Sequence, residues 1–439
     1  MIGKRGFLLV AFWAVLFIGY GQINREASSI YVDDVGSPGA QNAVKKAHQI
    51  TDLEFVPTNT IIANKRKTYQ PKQKYKGVIY SSVMETSTYV GLDVSIHTFM
   101  TALNNPRSVL YTEHLDKYPY HGSRMATYYG TVCSAFVSYA LGFKAYQTTY
   151  DIAEHDFMTL VDNQSAKGIQ LADVLWQNGH VALITGIRRN KTNGEVVWIE
   201  ISEAWPSGAR RRVVEGESAF NKMLEKGKWK IYRYKDLEKN SYTPWTDFVA
   251  VDGEKRTSFQ YNEAICPNKG DKSCYITGEN VVLNITDGYR KLEIYKDEAL
   301  YKQCRVVDDL DIVLRDLPYG DYKARVKKWW KKSDFAYWKI VDAQVNTNEE
   351  KGMVSFHSDN ATPIYLEFCT ITGSRPIWAW YILTEKDIAN GFVNISKLPL
   401  YGRLMKKTSN MYAKVHFECD YGRVVNKPVL WEKNTNIAN

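Results

Sequence analysis

At 439 residues, with 44% hydrophobic and 24% charged residues, the chain is long enough for about three domains, and a disordered or fibrous protein is excluded. The formal charge of +9 is too diffuse to define a nucleic-acid-binding protein. No cysteine pair or cysteine–histidine cluster has zinc-ligand spacing, so no metal and no other cofactor is expected.

Lys4 and Arg5 precede an apolar run over residues 7–18, and Gly19-Tyr20-Gly21 supplies a small-x-small cleavage site. The run is too short to span a bilayer, so residues 1–21 are read as a signal peptide. The remainder is expected to be exported to the periplasm or beyond, with no membrane association after signal removal. Export permits disulfides. Of six cysteines, Cys266 and Cys274 flank a turn-rich loop that a local disulfide could close, and Cys369 with Cys419 is a second pairing. If Cys133 is free, an odd number remains.

Residues 22–75 read as a leader and connector. A short helix is predicted over 43–50, followed by basic, solvated runs at 64–67 and 70–74. Residues 76–245 form the next unit, with added helix around 94–103. Within it, Phe136, Val137, Ala140 and Leu141 lie at helical spacing and Gly142 is a natural stop. Thr131 is a fair N-cap, which puts Cys133 in the first helical turn. There, unpaired N–H groups and the positive end of the helix dipole favour a thiolate and can hold an oxyanion. Further on, residues 171–176 read as a strand, Gln177-Asn178-Gly179 as a turn, and a second strand begins at His180; residues 195–205 are the return strand.

Beyond residue 245 the pattern changes to short alternating runs separated by turn signals. Examples are 281–285, 292–295, 311–314, 363–368, 378–383 and 412–418. The Leu317-Pro318-Tyr319-Gly320-Asp321-Tyr322 turn with its outgoing strand is of a kind common in immunoglobulin-like sandwiches. Two β-sandwich-like domains are expected, 246–346 and 347–439, joined near residues 346–352.

A nucleophilic cysteine needs a base and a third group that orients the base. His180 is the candidate base; His97, His114, His121 and His155 compete. Glu200 and Glu203 are candidates for the third position. A hairpin turning at Asn193-Gly194 sets Ile184 opposite Glu203, which puts Glu203 and not Glu200 on the His180 face. In that register Glu203 lies four residues along from the position opposite His180, a gap of roughly 13 Å. Trp205 could shield the contact from water.

Tyr-Gly-x-x-Cys-Ser around Cys133, Ala172-Asp173-Val174, Gly179-His180-Val181 and Glu203-Ala204-Trp205 follow in an order that resembles the papain-like cysteine peptidases, and most closely the NlpC-type cell-wall peptidases. The likeness covers roughly residues 80–205. It departs from the family at Val132, where Asp is usual, and at Glu203, where His, Asn or Gln is common. The resemblance implies an α+β papain-like catalytic domain followed by the β-rich domains. It also implies catalytic Cys133, His180 and Glu203, with Tyr80, Ser134 and Trp205 at the substrate. The implied activity is hydrolysis of amide bonds in peptidoglycan stem peptides, at the D-Glu-γ-diamino acid linkage typical of the family. An N-acetylmuramoyl-L-alanine amidase would use the same site, and a non-catalytic surface-binding or adhesion protein remains an alternative.

Overall fold

The computed structural model describes residues 30–64, 67–81, 89–112, 128–154, 156–242, 264–267, 273–286, 288–307, 311–348, 352–370, 377–398, 410–419, 421–426 and 429–432. The export segment and the boundary at 245–246 lie outside them. The protein is strand-rich, and its sheets fall into three groups along the chain.

The first group is built, beside two short two-stranded pairs, on one seven-stranded sheet. Its strands are β1 (Tyr31–Asp33), β2 (Met158–Leu160), β3 (Val174–Gln177), β4 (His180–Asn190), β5 (Val196–Trp205), β6 (Gly208–Glu215) and β7 (Lys230–Tyr234). The order is β6-β5-β4-β3-β7-β2, and β1 pairs with the end of β4. The first six residues of β4 are all buried, as are residues 199–204 of β5. Both sheet faces are covered there, which accounts for the apolar run at residues 181–184, while the buried Glu200, Ser202 and Glu203 of β5 are carried by hydrogen bonds.

Helix α1 (Pro38–Thr51) supplies part of that cover. Ser37 caps it by accepting from the Ala40 N–H, and Pro38 opens it. Ala40, Ala43, Ala47 and Ile50 form its buried stripe and join one core with Phe136, Val137 and Ala140. Gly39 is pressed against residue 237, where an added Cβ would come 1.9 Å from the Leu237 carbonyl oxygen. The segment expected to be a leader is therefore built into the first core, and the boundary at residue 75 divides nothing. The ends of its first basic run, Asn64 and Lys67, pair with each other in a short hairpin (Ile61–Asn64 and Lys67–Tyr69), and the second run follows that hairpin.

Helix α2 (Ile96–Asn104) matches the helix expected around 94–103. Helix α3 (Cys133–Leu141) carries the cysteine. Its N-cap is Val132, not Thr131: Thr131 is drawn into a parallel bridge with Tyr80, and its N–H donates to the Ile79 carbonyl. Gly142 ends the helix in the left-handed region at φ 76°. Asn240 closes that end, its Nδ2 donating to the Ala140 carbonyl at 2.8 Å and its Oδ1 accepting from Lys46 Nζ at 2.6 Å. An added Cβ on Gly142 would meet Asn240 Oδ1 at 2.5 Å. Gly142→Ala is therefore expected to cost about 1–3 kcal/mol through left-handed strain and this clash, read as a lowered midpoint in urea unfolding.

The second group comprises two sheets of a sandwich-like unit. Strands 265–267, 281–285 and 312–314 form one; strands 274–276, 291–296, 299–305, 320–328, 331–332 and 336–341 form the other. The Tyr322 hydroxyl donates to the Pro318 carbonyl at 2.8 Å, a tyrosine corner that pins the turn anticipated from the sequence. Its ring stacks on buried Trp338 at 5.5 Å. The third group again has two sheets, built on 344–348, 353–357 and 392–394, and on 362–370, 377–382, 410–419, 422–425 and 429–432. The join expected near 346–352 falls inside a hairpin, because Asn348 pairs with Met353. Polar and glycine-containing turns and linkers share a composition, and here the strands on either side of the run pair with each other. The division lies instead between the strands ending at Val341 and starting at Gln344.

The two β-rich units are not independent. Cys274, Ile276 and Val341 of the second pack in one apolar cluster with Val354, Phe368 and Phe417 of the third. Across this contact, Cys274 Sγ lies 2.8 Å from Cys419 Sγ. Neither expected pairing is formed by Cys274 or Cys419, which instead face each other; the side chains of Cys266 and Cys369 lie outside the described residues.

Candidate functional site

The edge of the first sheet nearest the start of α3 gathers the sequence-predicted triad. β4 begins at His180, so the histidine is fixed by strand pairing from its first residue: Gln177 pairs with His180 and Trp176 with Val181. The β4–β5 register differs from the ideal hairpin. Leu183 pairs with Ser202 and Ile184 with Ile201, after irregularities between Ile184 and Gly186 and between Arg188 and Arg189. The shift preserves which residues share a face and moves Glu203 back toward His180. Extending the Leu183–Ser202 register sets Glu203 across from Ala182, two residues from His180. The roughly 13 Å separation of the ideal hairpin is thereby halved, to about 7 Å along the strand. His180 Nε2 and Glu203 Oε2 meet at 2.9 Å.

That bond leaves Nδ1 of His180 available to the Cys133 sulfur, whose charged form is favoured by the imidazole, the Val181 N–H and the Thr149 hydroxyl. Thr149 opens helix α4 (Thr149–Glu154). Burial pushes the Cys133 thiol up, and these groups with the imidazolium charge outweigh it, holding the thiol below its ordinary value. Burial alone would lower His180. Its hydrogen bonds to Cys133 and Glu203 prevail and raise it to about 9. Both shifts act in the direction of the charged forms, thiolate for Cys133 and imidazolium for His180.

Glu203 is 2% exposed. Its Oε1 accepts from Arg210 Nη2 at 2.8 Å, Arg210 Nε at 3.0 Å and Arg212 Nε at 3.2 Å, while Oε2 serves His180. Burial works to raise this carboxyl; the His180 bond and the Arg212 and Arg210 charges override it and bring it to about 2. Arg210 sits directly opposite Glu203 on β6, and Arg212 two residues along shares that face. Sequence reading missed both arginines. The alternation in Arg210-Arg211-Arg212 was the available signal, since Arg211 turns to the other face and binds Glu200 at 3.0 Å.

Glu200, the competing carboxylate, belongs to a separate network. It accepts from Thr185 Oγ1 at 2.9 Å and pairs with His48 Nε2 of α1 at 2.8 Å. Of the competing histidines, His97 is buried in α2, and His114, His121 and His155 lie outside the described residues.

Trp205 lies beside His180. Its ring lies 5.1 Å from the His180 ring, edge to face, with the Arg210 guanidinium 5.0 Å over it. Trp229 was not anticipated; it meets His180 from another side at 5.7 Å. It precedes β7 in a Gly-Lys-Trp-Lys stretch that gives no periodic signal. Tyr80 is half-buried near Cys133. Burial, reinforced by the Cys133 charge, raises its phenol to about 12, so it stays a hydroxyl donor at neutral pH. Ser134 is differently placed: its side chain is buried and its Oγ meets the Tyr146 hydroxyl at 2.9 Å, so the hydroxyl serves the core and not a ligand. Val132 offers no side-chain cap, and the first-turn N–H groups of α3 are left as donors beside the sulfur.

Ala172 has φ 67°, a left-handed backbone that glycine adopts more readily. The buried Asp173 beside it accepts from the Gln170 N–H at 2.7 Å and is held by Arg233 through both carboxylate oxygens at 2.8 Å. This fixes the entry to β3. The third β-rich unit reaches the same body at Ala145, which packs with Ile364 and Tyr365.

No protein-family model and no curated protein matches the chain. Among solved structures it is similar to the CD2-binding domain of CD58, at 7% identity and a TM-score of 0.15, over 36% of this chain and 95% of that one. It is also similar to a two-domain fibronectin type-III segment of chicken tenascin, at 11% identity and a TM-score of 0.17, over 35% and 91%.

Proposed function

We propose that this chain is an exported cysteine peptidase or amidase of the NlpC type, with a papain-like catalytic domain, that hydrolyses amide bonds in peptidoglycan stem peptides. What carries the reading is the Cys133–His180–Glu203 set: a sulfur in the first turn of a helix, shifted toward its thiolate by His180, and an imidazole whose Nε2 meets a buried carboxylate at 2.9 Å. A second support is the left-handed φ at Ala172, the position where the resembled Gly-Asp-Val motif has its glycine.

The Cys133 thiolate attacks the amide carbonyl, and the developing oxyanion is met by N–H groups of the first turn of α3, with the Tyr80 hydroxyl as a further donor. His180 gives its proton to the leaving amine. It then takes a proton from water, which attacks the thioester carbon and releases the acid with Cys133 restored. Glu203 keeps the imidazole oriented, and Trp205 and Trp229 exclude water from that contact. The test is digestion of purified peptidoglycan followed by mass spectrometry. Soluble fragments with new amide-derived termini are expected from the wild type and not from Cys133→Ala. Release of the same fragments by Cys133→Ala would overturn the proposal, and so would no release by a wild type whose Cys133 reacts with iodoacetamide.

A further inference from the structure

The second unit ends one of its sheets in an unusual tip. The strands Gly320–Lys328 and Lys331–Lys332 are joined by a two-residue turn, and those two residues are Trp329 and Trp330. They are 79% and 91% exposed, the most exposed of the large hydrophobic residues described. Trp329 takes a left-handed φ of 51° at a turn position that favours glycine or asparagine. A bulky ring is thus held out to water on a strained backbone, and nothing in the core gains from it.

Lys328, Lys331 and Lys332 flank the pair, are exposed, and make no ion pair among the described residues. Lys327 pairs with Glu293. Strand register brings more positive charge to the same sheet end, because Lys291 pairs across to Lys327 on one side and to Arg305 on the other. The indole rings are 6.5 Å apart and inclined at 47°. They do not form one coplanar platform.

We propose that this tip docks the protein on an anionic lipid bilayer. Indole rings partition to the headgroup level, where the apolar body is buried and the N–H stays wet, and the flanking lysines meet lipid phosphate. The docking is peripheral and needs no spanning helix, and it departs from the expectation of no membrane association after signal removal, which composition and the export segment alone suggested. It is independent of the chemistry assigned to Cys133.

The test is co-sedimentation of the full chain with phosphatidylcholine vesicles, with and without a minority of phosphatidylglycerol. Wild type is expected to bind the anionic vesicles and to be released by salt. Trp329→Ser/Trp330→Ser is expected to weaken binding at least about tenfold. Lys328→Gln/Lys331→Gln/Lys332→Gln is expected to abolish the preference for anionic over neutral vesicles. Cys133→Ala should bind as the wild type does. Circular dichroism melts of both tip variants should match the wild type, since the substituted side chains are exposed. Equal vesicle binding by the wild type and the double-tryptophan variant would overturn the proposal. So would no vesicle binding by wild type together with tryptophan-dependent sedimentation on insoluble peptidoglycan, which would assign the tip to a wall polymer.

Discussion

Cys133→Ala and His180→Ala are each expected to lower kcat/KM on a soluble stem peptide by about a thousandfold or more. The two variants separate the roles of sulfur and ring when alkylation is followed alongside hydrolysis. In the wild type the thiol lies below its ordinary value because of the hydrogen bonds that override burial, so iodoacetamide should react quickly at neutral pH. In His180→Ala the burial remains and the imidazole is gone, so the thiol rises; alkylation at pH 7 should slow by at least about tenfold, with its profile displaced to alkaline pH.

The wild-type pH dependence carries a sign of its own. His180 is raised to about 9, so it holds its proton below that pH and loses it above. Hydrolysis needs that proton for the leaving amine and should fall as pH rises through about 9. Alkylation needs only the thiolate and should not fall there. Parallel loss of both at alkaline pH would place the limiting titration elsewhere than His180. Full hydrolysis in either variant would remove that residue from the mechanism.

What could be read in the sequence was local chemistry and parity. The helix carrying Cys133, its stop at Gly142, the strand start at His180 and the tyrosine turn at 317–322 all depend on residues within a few positions of one another. Glu203 was assigned to the His180 face by counting, and the assignment survives a wrong register because the irregularities along β4 and β5 leave an even displacement between His180 and Glu203. Distance did not survive, since no local rule fixes where a bulge will sit. Long-range partners were the other loss. Arg210, Arg212, Trp229 and Thr149 reach the site through strand pairing and helix packing, and none has a spacing signal relative to Cys133 or His180. The leader reading failed for a related reason. The Ala40–Ala43–Ala47–Ile50 stripe was partly visible as a helix, but nothing in it says that its small residues let α1 lie close against the core.

The carboxylate in the third position has the next-largest expected effect. Glu203 stands where the resembled family commonly uses His, Asn or Gln, and the arginines make that substitution workable: a carboxylate bound by two guanidiniums on one oxygen still presents a hydrogen-bond acceptor to His180 through the other. Glu203→Gln keeps the acceptor and the volume but leaves the positive charges of Arg210 and Arg212 uncompensated near the imidazolium. His180 should then lose its proton at lower pH than in the wild type, and the alkaline limit of hydrolysis should move down from about 9. A loss of about a hundredfold in kcat/KM at pH 8 is expected. Stability should fall as well, by about 2 kcal/mol; a larger penalty is not expected because Arg210 and Arg212 retain 43% and 29% exposure and can turn to water. Neutralising the arginines in the same background decides between charge and shape. Glu203→Gln/Arg210→Gln/Arg212→Gln removes the uncompensated charges and should recover a substantial part of both the rate and the alkaline limit, a coupling that additive losses would not produce. If the triple variant is instead the least active of the series and its alkaline limit stays low, the negative charge of Glu203 itself sustains the imidazolium, and the arginines serve only to hold that carboxylate in place.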